Sequence, residues 1–140
     1  MNKLGSVKPF IILFGTLLFL TPIIFSSNTR ELFEFPKMFF VYFLGTSLIY
    51  LFLLRIVLSR SKYKFRFPLL KYAAVFVVIY IIASFLSDHF YTSLWGYYTR
   101  FNGGLVSVLV FFGLYVVAVN VLKREDVSFL VNVVLVSVIP

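Results

Sequence analysis

Long apolar runs recur along this chain, and they constrain its fold more than any other feature of the sequence. Hydrophobic residues occupy 61% of the 140 positions and charged residues only 13%, against about 25% charged residues in soluble globular proteins. Several runs approach the roughly 20 apolar residues that a helix needs to cross a hydrocarbon core of about 30 Å. The sequence therefore predicts an integral membrane protein of the helical class, and it excludes a soluble or secreted binding module.

The fold class that we predict is all-α: a polytopic transmembrane helix bundle with four complete spans and a truncated fifth. The spans are placed at residues 10–25, 38–58, 69–86 and 105–122, and the partial span at residues 127–139. Pro22 is expected to kink or end the first helix. A signal peptide is the alternative for this first run, but no small-x-small cleavage site follows it. Because the fifth run is too short to span, residues 1–140 are interpreted as one transmembrane domain, the N-terminal part of a longer protein, and this part alone is expected to be inactive.

Basic residues are distributed unevenly among the connections, and this predicts an orientation. Ten of the thirteen lysines and arginines lie at the N-terminus and in the second and fourth connections. The positive-inside rule places these in the cytoplasm, so the N-terminus is cytoplasmic and the connections at residues 26–37 and 87–104 face outward. The same bias accounts for the net charge of +8 without a nucleic-acid partner. Arg55 is expected to snorkel to the headgroups, and residues 123–126 to form a tight charged turn.

The connection at residues 87–104 holds most of the groups that could do chemistry, including the only tryptophan and the only histidine. Its aromatic rings are typical of a membrane–water boundary, so an interfacial segment anchored by an aromatic belt is one interpretation. The other is a binding site, because aromatic faces stack on sugars, a guanidinium suits phosphate, and glycines let backbone N–H groups approach an anion. The candidate substrate-binding residues are Trp95, Gly96, Tyr97, Tyr98, Arg100, Asn102 and Gly103, with Arg30 in the first outer connection.

Other polar residues favour structural roles. The chain has no cysteine and a single histidine, so we predict neither a metal site nor a cofactor. His89 could act as a base next to Asp88, but a surface position at the start of a short helix, capped by Ser87 or Asp88, is favoured. Asn120 and Asn132 lie in apolar runs and are expected to form hydrogen bonds between helices.

The first outer connection has the pattern of a capped helix start. Asn28 and Glu31 fit a capping pair, and Arg30 and Glu34 fit an ion pair four residues apart. Pro36 falls in the first turn of the next span, where a missing N–H is harmless. These charges are interpreted as an amphipathic turn at the membrane interface, with Arg30 and Glu34 as weaker binding candidates.

Two stretches resemble the N-terminal region of the bacterial O-antigen ligase and O-antigen polymerase family. They are NTRELFEFPKMFFVYFLG at residues 28–45 and SFLSDHFYTSLWGYYTRFNGG at residues 84–104, separated by a basic connection. The family pattern is a serine-rich helix end followed by a glycine, an arginine and another glycine before the next span. Gly96, Arg100 and Gly103 occupy those positions here.

The resemblance implies a polytopic enzyme of the bacterial inner membrane that transfers a glycan from undecaprenyl pyrophosphate to a sugar acceptor, without a metal or nucleotide sugar. In that family the principal catalytic residues, a histidine and arginines among them, belong to a large periplasmic loop late in the chain. His89 does not correspond to that histidine, and the catalytic residues are expected beyond residue 140. Two alternatives stay open: a small non-enzymatic membrane protein, and a fragment of a lipid-linked sugar transporter. A transporter more often carries ionisable residues at mid-span, and the predicted spans have none there.

Overall fold

The computed structural model describes residues 7–24, 34–58, 65–66 and 69–138, and within them the fold is all-helical. A single isolated β-bridge accompanies the helices of this described part. In chain order the helices are α1 (Lys8–Ile23), α2 (Glu34–Leu58), α3 (Leu70–Phe85), α4 (Phe90–Trp95), α5 (Leu105–Val121) and α6 (Arg124–Val138).

Proline and charged residues determine several helix ends. Pro22 lies in the last turn of α1, and the helix ends one residue later with extended backbone at Ile24, as Pro22 predicts. Pro36 falls in the first turn of α2, which is also as predicted. The charged residues after α5 do not form a separate turn. Instead Asp126 Oδ2 accepts a hydrogen bond from the backbone N–H of Lys123 at 2.8 Å, which caps the start of α6.

Helix α2 lies at the centre of the bundle. It packs against α1 and α5, while α6 packs on α1, and α3 and α4 pack on α5. The shared core consists of Phe10, Phe14, Leu17, Val41, Leu48, Phe52, Val110, Leu114, Val117, Val121 and Leu130.

Helices α2 and α5 approach closely at Gly45, where an added Cβ would lie 2.8 Å from Val110 Cγ1. Small residues at such crossings let two helix backbones come together.

The prediction of four complete spans is wrong. Among the described helices, only α2, with 25 residues, is long and apolar enough to cross a membrane. Helices α1, α3 and α5 have 16, 16 and 17 residues, so at 1.5 Å per residue they measure about 24–26 Å and fall short of the hydrocarbon core. The sequence-based spans counted every residue of each apolar run, whereas helix ends and connections take up some of them. The prediction of a cytoplasmic N-terminus depends on four alternating spans, so it is withdrawn as well.

The surface of α2 favours association with a membrane. Only 28% of its most apolar window is buried within the structure, whereas the central helix of a soluble protein would be mostly buried. Large apolar side chains such as Phe39, Phe43 and Leu53 are exposed along it, and α3 exposes Phe76 and Ile79. Exposed apolar surface of this extent is typical of contact with lipid or with other apolar helices.

The end of the bundle opposite to α4 carries an unusual polar arrangement. Asn120 bonds both backbone groups of Arg66: the N–H of Arg66 donates to Oδ1 at 2.8 Å, and Nδ2 donates to the carbonyl at 3.1 Å. Asn120 therefore bonds the segment before α3, and its Nδ2 also donates to Val116 O of its own helix at 2.8 Å. Arg55, expected to reach the headgroups, has its Nε and Nη1 buried without a hydrogen-bond partner in the described residues. Its guanidinium carbon lies 5.7 Å from the centroid of the Phe10 ring, a cation–π arrangement.

We expect Gly45→Ala to lower the free energy of unfolding by about 1–3 kcal/mol. Val110 is β-branched and stiff, so its methyl group cannot move aside unless α2 and α5 separate. The measurement is thermal unfolding in detergent, followed by the helical circular dichroism signal. Gly15→Ala is the matched control, because its added Cβ would lie 3.9 Å from Leu130 Cδ2, an ordinary contact. If the two variants were equally stable, the close crossing at Gly45 would be refuted.

Candidate functional site

A short hairpin loop connects α4 to α5 and forms the centre of the candidate site. Gly96 and Gly103 form an antiparallel β-bridge, and the segment from one to the other is called the glycine loop. Tyr97 N–H donates to Asn102 O at 3.2 Å, and Phe101 N–H donates back to Tyr97 O at 2.8 Å. These bonds fold the six residues between the glycines into a compact turn.

Both glycines shape this loop. Gly96 has φ +85° and Gly103 has φ +77°, in the left-handed region that residues with a Cβ rarely adopt. A Cβ at Gly96 would also lie 2.0 Å from the carbonyl oxygen of Asn102. Gly96 N–H donates to Thr92 O at 2.7 Å, and Gly103 N–H donates to Asn102 Oδ1 at 2.8 Å. In this structure the two amides thus have protein partners and are not presented to an anion.

Two tyrosines from other helices hold the glycine loop by its backbone. Tyr42 on α2 donates its hydroxyl hydrogen bond to Phe101 O at 2.5 Å, and Tyr80 on α3 donates to Gly103 O. The two carbonyls flank Asn102. Phe101 has φ +51°, a conformation that is rare for a bulky residue and persists only where the surroundings determine it. The tyrosine hydrogen bonds supply part of that determination.

Aromatic packing on one side of the glycine loop leaves an open groove of about 460 Å³. The Phe101 ring meets Phe35 and Trp95 edge to face, with centroid distances of 5.5 and 6.2 Å. This feature, called the apolar groove, is lined by Phe35, Phe39, Tyr42, Phe43, Thr46, Trp95 and Phe101. Its lining is suited to an extended hydrocarbon chain.

A second cavity, of about 520 Å³, also takes part of its lining from the glycine loop and has a different chemistry. Helix α3, the connection after it, α4 and the glycine loop all contribute to it. This feature, called the hydroxyl pocket, is lined by Tyr80, Ala83, Ser84, Ser87, Thr92, Ser93, Gly96, Tyr97, Asn102 and Gly103. None of these lining residues carries a formal charge.

Arg100 lies in the glycine loop and is half exposed. Its Nε is 3.5 Å from Glu34 Oε2 at the start of α2, so this ion pair links the loop to that helix. Surface pairs of this kind contribute at most about 1 kcal/mol, so an anionic ligand can compete for the guanidinium. Arg30, the expected partner of Glu34, lies outside the described residues, as does the Asn28–Glu31 capping pair.

The structure brings most of the sequence-predicted site residues together, and it divides them between two cavities. Trp95 lines the apolar groove, whereas Gly96, Tyr97, Asn102 and Gly103 line the hydroxyl pocket. Tyr98 is 80% exposed and lines neither of them. The substrate-binding role of these residues stays a prediction.

The polar residues before α4 form a local turn. Ser87 Oγ accepts hydrogen bonds from the His89 backbone N–H at 3.3 Å and from Ser93 Oγ at 2.7 Å. His89 is itself the N-cap residue, and no side-chain hydrogen bond caps α4. Asp88 and His89 are exposed. Across the parts of the chain that the structure describes, no three metal-ligating side chains are grouped to hold an ion.

Sequence reasoning missed the residues that give the site its walls. Tyr42 and Tyr80 lie within apolar runs and inside their helices, and nothing in the sequence signals that their hydroxyls bond a backbone carbonyl of another segment. Ser84, Thr92 and Ser93 were not singled out because small hydroxyl residues also serve as ordinary helix neighbours. Their convergence with the glycine loop depends on how α3 and α4 pack on α5, which the sequence does not show.

Comparison with family models, with curated proteins and with solved structures gives no match to this chain. The resemblance to O-antigen ligases and polymerases therefore stays a prediction that rests on the sequence motifs alone.

We expect Tyr42→Phe to loosen the glycine loop, because Phe101 O loses its hydroxyl donor. A lost hydrogen bond of this kind costs about 0.5–1.5 kcal/mol. Trp95 is the only tryptophan and packs on Phe101, so its fluorescence emission should shift to longer wavelength as water enters. Tyr50→Phe, at an exposed position of the same helix, is the matched control and should leave the spectrum unchanged. Identical spectra in the two variants would show that the Tyr42 hydroxyl does not hold the loop.

Proposed function

We propose that this chain is a membrane-associated part of a protein that handles a lipid-linked glycan at the outer face of the bacterial inner membrane, as O-antigen ligases and polymerases do. One observation carries the proposal: a single loop contributes to an apolar groove and to a hydroxyl pocket, and it also carries Arg100. A polyprenyl pyrophosphate glycan has a hydrocarbon chain, a polyanionic link and a sugar, and each matches one of these three features. The similarity of residues 28–45 and 84–104 to that family supports the same conclusion.

The proposed reaction of the whole protein is a glycan transfer with inversion at the anomeric carbon. The bond from that carbon to the pyrophosphate oxygen breaks with its electron pair, and a hydroxyl of the sugar acceptor forms the new bond and loses its proton. Negative charge develops on the leaving pyrophosphate, and fixed guanidinium groups stabilise such charge in a site from which water is excluded. The proposal gives the residues of this chain a binding role and assigns the chemical step to residues beyond it.

Within this proposal Arg100 binds the pyrophosphate. A planar guanidinium forms paired, charge-assisted hydrogen bonds with phosphate oxygens, and these are stronger than its exposed contact with Glu34. The hydrocarbon chain lies in the apolar groove, where Trp95 and Phe101 are exposed to it. Tyr97 and Asn102, on the hydroxyl-pocket side, are then close to the sugar.

Helix α2 gives the proposed orientation. Arg55 lies in its last turn, and the sequence directly after it is basic, with Arg60, Lys62, Lys64 and Arg66. The positive-inside rule therefore favours a cytoplasmic C-terminal end and an outward N-terminal end for this one span. Glu34 and the glycine loop lie at the outward end.

Arg100→Ala should weaken the binding of undecaprenyl pyrophosphate to the chain in lipid nanodiscs by about tenfold or more, because charge-assisted hydrogen bonds contribute about 1.5–3 kcal/mol. Binding is followed through Trp95 fluorescence, and Arg100→Lys is expected to retain part of the affinity. The matched control is Arg124→Ala, at an exposed position at the start of α6. Unchanged affinity in Arg100→Ala would remove Arg100 from the site. If the unaltered chain does not bind the lipid, a non-enzymatic membrane protein is favoured instead.

The orientation is tested by labelling, for which a chain without cysteine is well suited. In intact spheroplasts, a membrane-impermeant maleimide should label Tyr98→Cys, in the glycine loop. Arg60→Cys, in the basic sequence directly after α2, should be labelled only after the membrane is permeabilised. Labelling of Arg60→Cys alone would place the glycine loop in the cytoplasm and would exclude an encounter with an outward-facing glycan.

A further inference from the structure

We infer that the hydroxyl pocket binds an uncharged sugar ring, and that it does so as a subsite separate from Arg100 and from the apolar groove. This inference rests on the proposed function, since it takes the sugar to belong to the lipid-linked glycan or to its acceptor. The pocket volume of about 520 Å³ lies within the range of about 300–1,000 Å³ that is usual for small-molecule sites, and it is sufficient for one or two sugar rings.

The hydrogen-bond pattern of the walls carries the inference. Ser84 Oγ donates to Tyr80 O at 2.8 Å, Ser93 Oγ donates to Ser87 Oγ at 2.7 Å, and Tyr80 donates its hydroxyl hydrogen to Gly103 O. A hydroxyl group has one hydrogen to donate and two lone pairs to accept with. Because these three hydrogens are used within the protein, their oxygens remain as acceptors, whereas Thr92 Oγ1 and Asn102 Nδ2, also in the lining, can donate. The walls therefore favour a ligand whose groups both donate and accept hydrogen bonds.

A neutral polyol meets that requirement better than a phosphate does. Each sugar hydroxyl both donates and accepts hydrogen bonds, whereas a phosphate at neutral pH offers mainly acceptors. None of the side chains lining the pocket is ionisable near neutral pH, so an anion would have no counter-charge. The Tyr97 ring is 75% exposed at this pocket and offers an apolar face to the C–H groups of a sugar. The oxygens could coordinate a bare cation, but the cation would leave most of the pocket volume empty.

The attachment of the glycine loop preorganises the pocket. Gly103 O accepts from Tyr80, which fixes the loop to α3, and Gly96 N–H donates to Thr92 O at 2.7 Å, the bond that ends α4 where the loop begins. A ligand that bonds Thr92 and Asn102 together would contact two elements whose relative position is already determined. Such preorganisation lowers the entropy cost of binding.

The test is saturation-transfer NMR on the full chain in nanodiscs, with free glucose, galactose and N-acetylglucosamine as probes and inorganic pyrophosphate as the anionic comparison. The variant is Thr92→Val, which removes a hydroxyl at an exposed position while keeping the shape of the side chain. It is combined with Ser84→Ala in a double variant. The matched control is Thr16→Val, the same substitution on α1, at a residue that lines neither the apolar groove nor the hydroxyl pocket.

At least one neutral sugar should bind the unaltered chain. Its affinity should fall by about two- to tenfold for each hydroxyl removed, and Thr16→Val should leave it unchanged. Equal affinity in the double variant and the control would overturn the inference. So would pyrophosphate binding that depends on Thr92, or the absence of binding by all three sugars. If the double variant alters the Trp95 spectrum, the single Thr92→Val variant decides the result.

The two proposals fail separately. Sugar binding that depends on Thr92, in a chain that does not bind undecaprenyl pyrophosphate, would leave the subsite in place and overturn the lipid-linked glycan function. Lipid binding that depends on Arg100, without sugar binding, would overturn only the subsite.

Discussion

Two phenol hydroxyls, from Tyr42 on α2 and Tyr80 on α3, bind successive parts of one short loop, and the candidate site depends on them. Each donates to a backbone carbonyl, at Phe101 and at Gly103. Because one hydrogen bond comes from each helix, the backbone of the loop is fixed to both α2 and α3. The apolar groove takes lining residues from α2 and the hydroxyl pocket from α3. The same bonds supply part of what sustains the positive φ angle of Phe101.

Helix length separates the role of α2 from that of its neighbours. The 25 residues of α2 are enough to cross a bilayer, whereas α1, α3 and α5 are several residues too short by the same measure. A bundle of this kind has one long element and shorter apolar helices packed along it. The close crossing of α2 and α5 at Gly45 brings the start of α5, and with it the glycine loop, beside the start of α2. The position of the site therefore follows from a packing contact about two helix turns away.

The sequence predicted the helical class and the location of each helix well, because apolar runs bounded by Pro22, Pro36 and charged residues leave few other solutions. It predicted the wrong number of membrane spans, since hydropathy alone does not distinguish an apolar run of 18 residues from a helix of 16 residues. The segment that it singles out, by an unusual density of polar and aromatic residues, contributes to both cavities, and the binding role of that segment stays a prediction. The sequence did not predict that this segment is divided between two cavities, because the division depends on tertiary hydrogen bonds. The Asn120 bond to the Arg66 backbone was missed for the same reason.

Helix α3 is attached to the rest of the molecule mainly near its two ends. The segment before it is bound by Asn120 at the end of α5, and Tyr80 in its second half is bound to the glycine loop before the start of α5. Between these points most of its side chains are exposed, and Val77 is the buried exception. Two attachments along the chain keep α3 in position even where its side chains are exposed. Another helix or a lipid chain can therefore occupy this exposed surface without displacing the wall of the hydroxyl pocket.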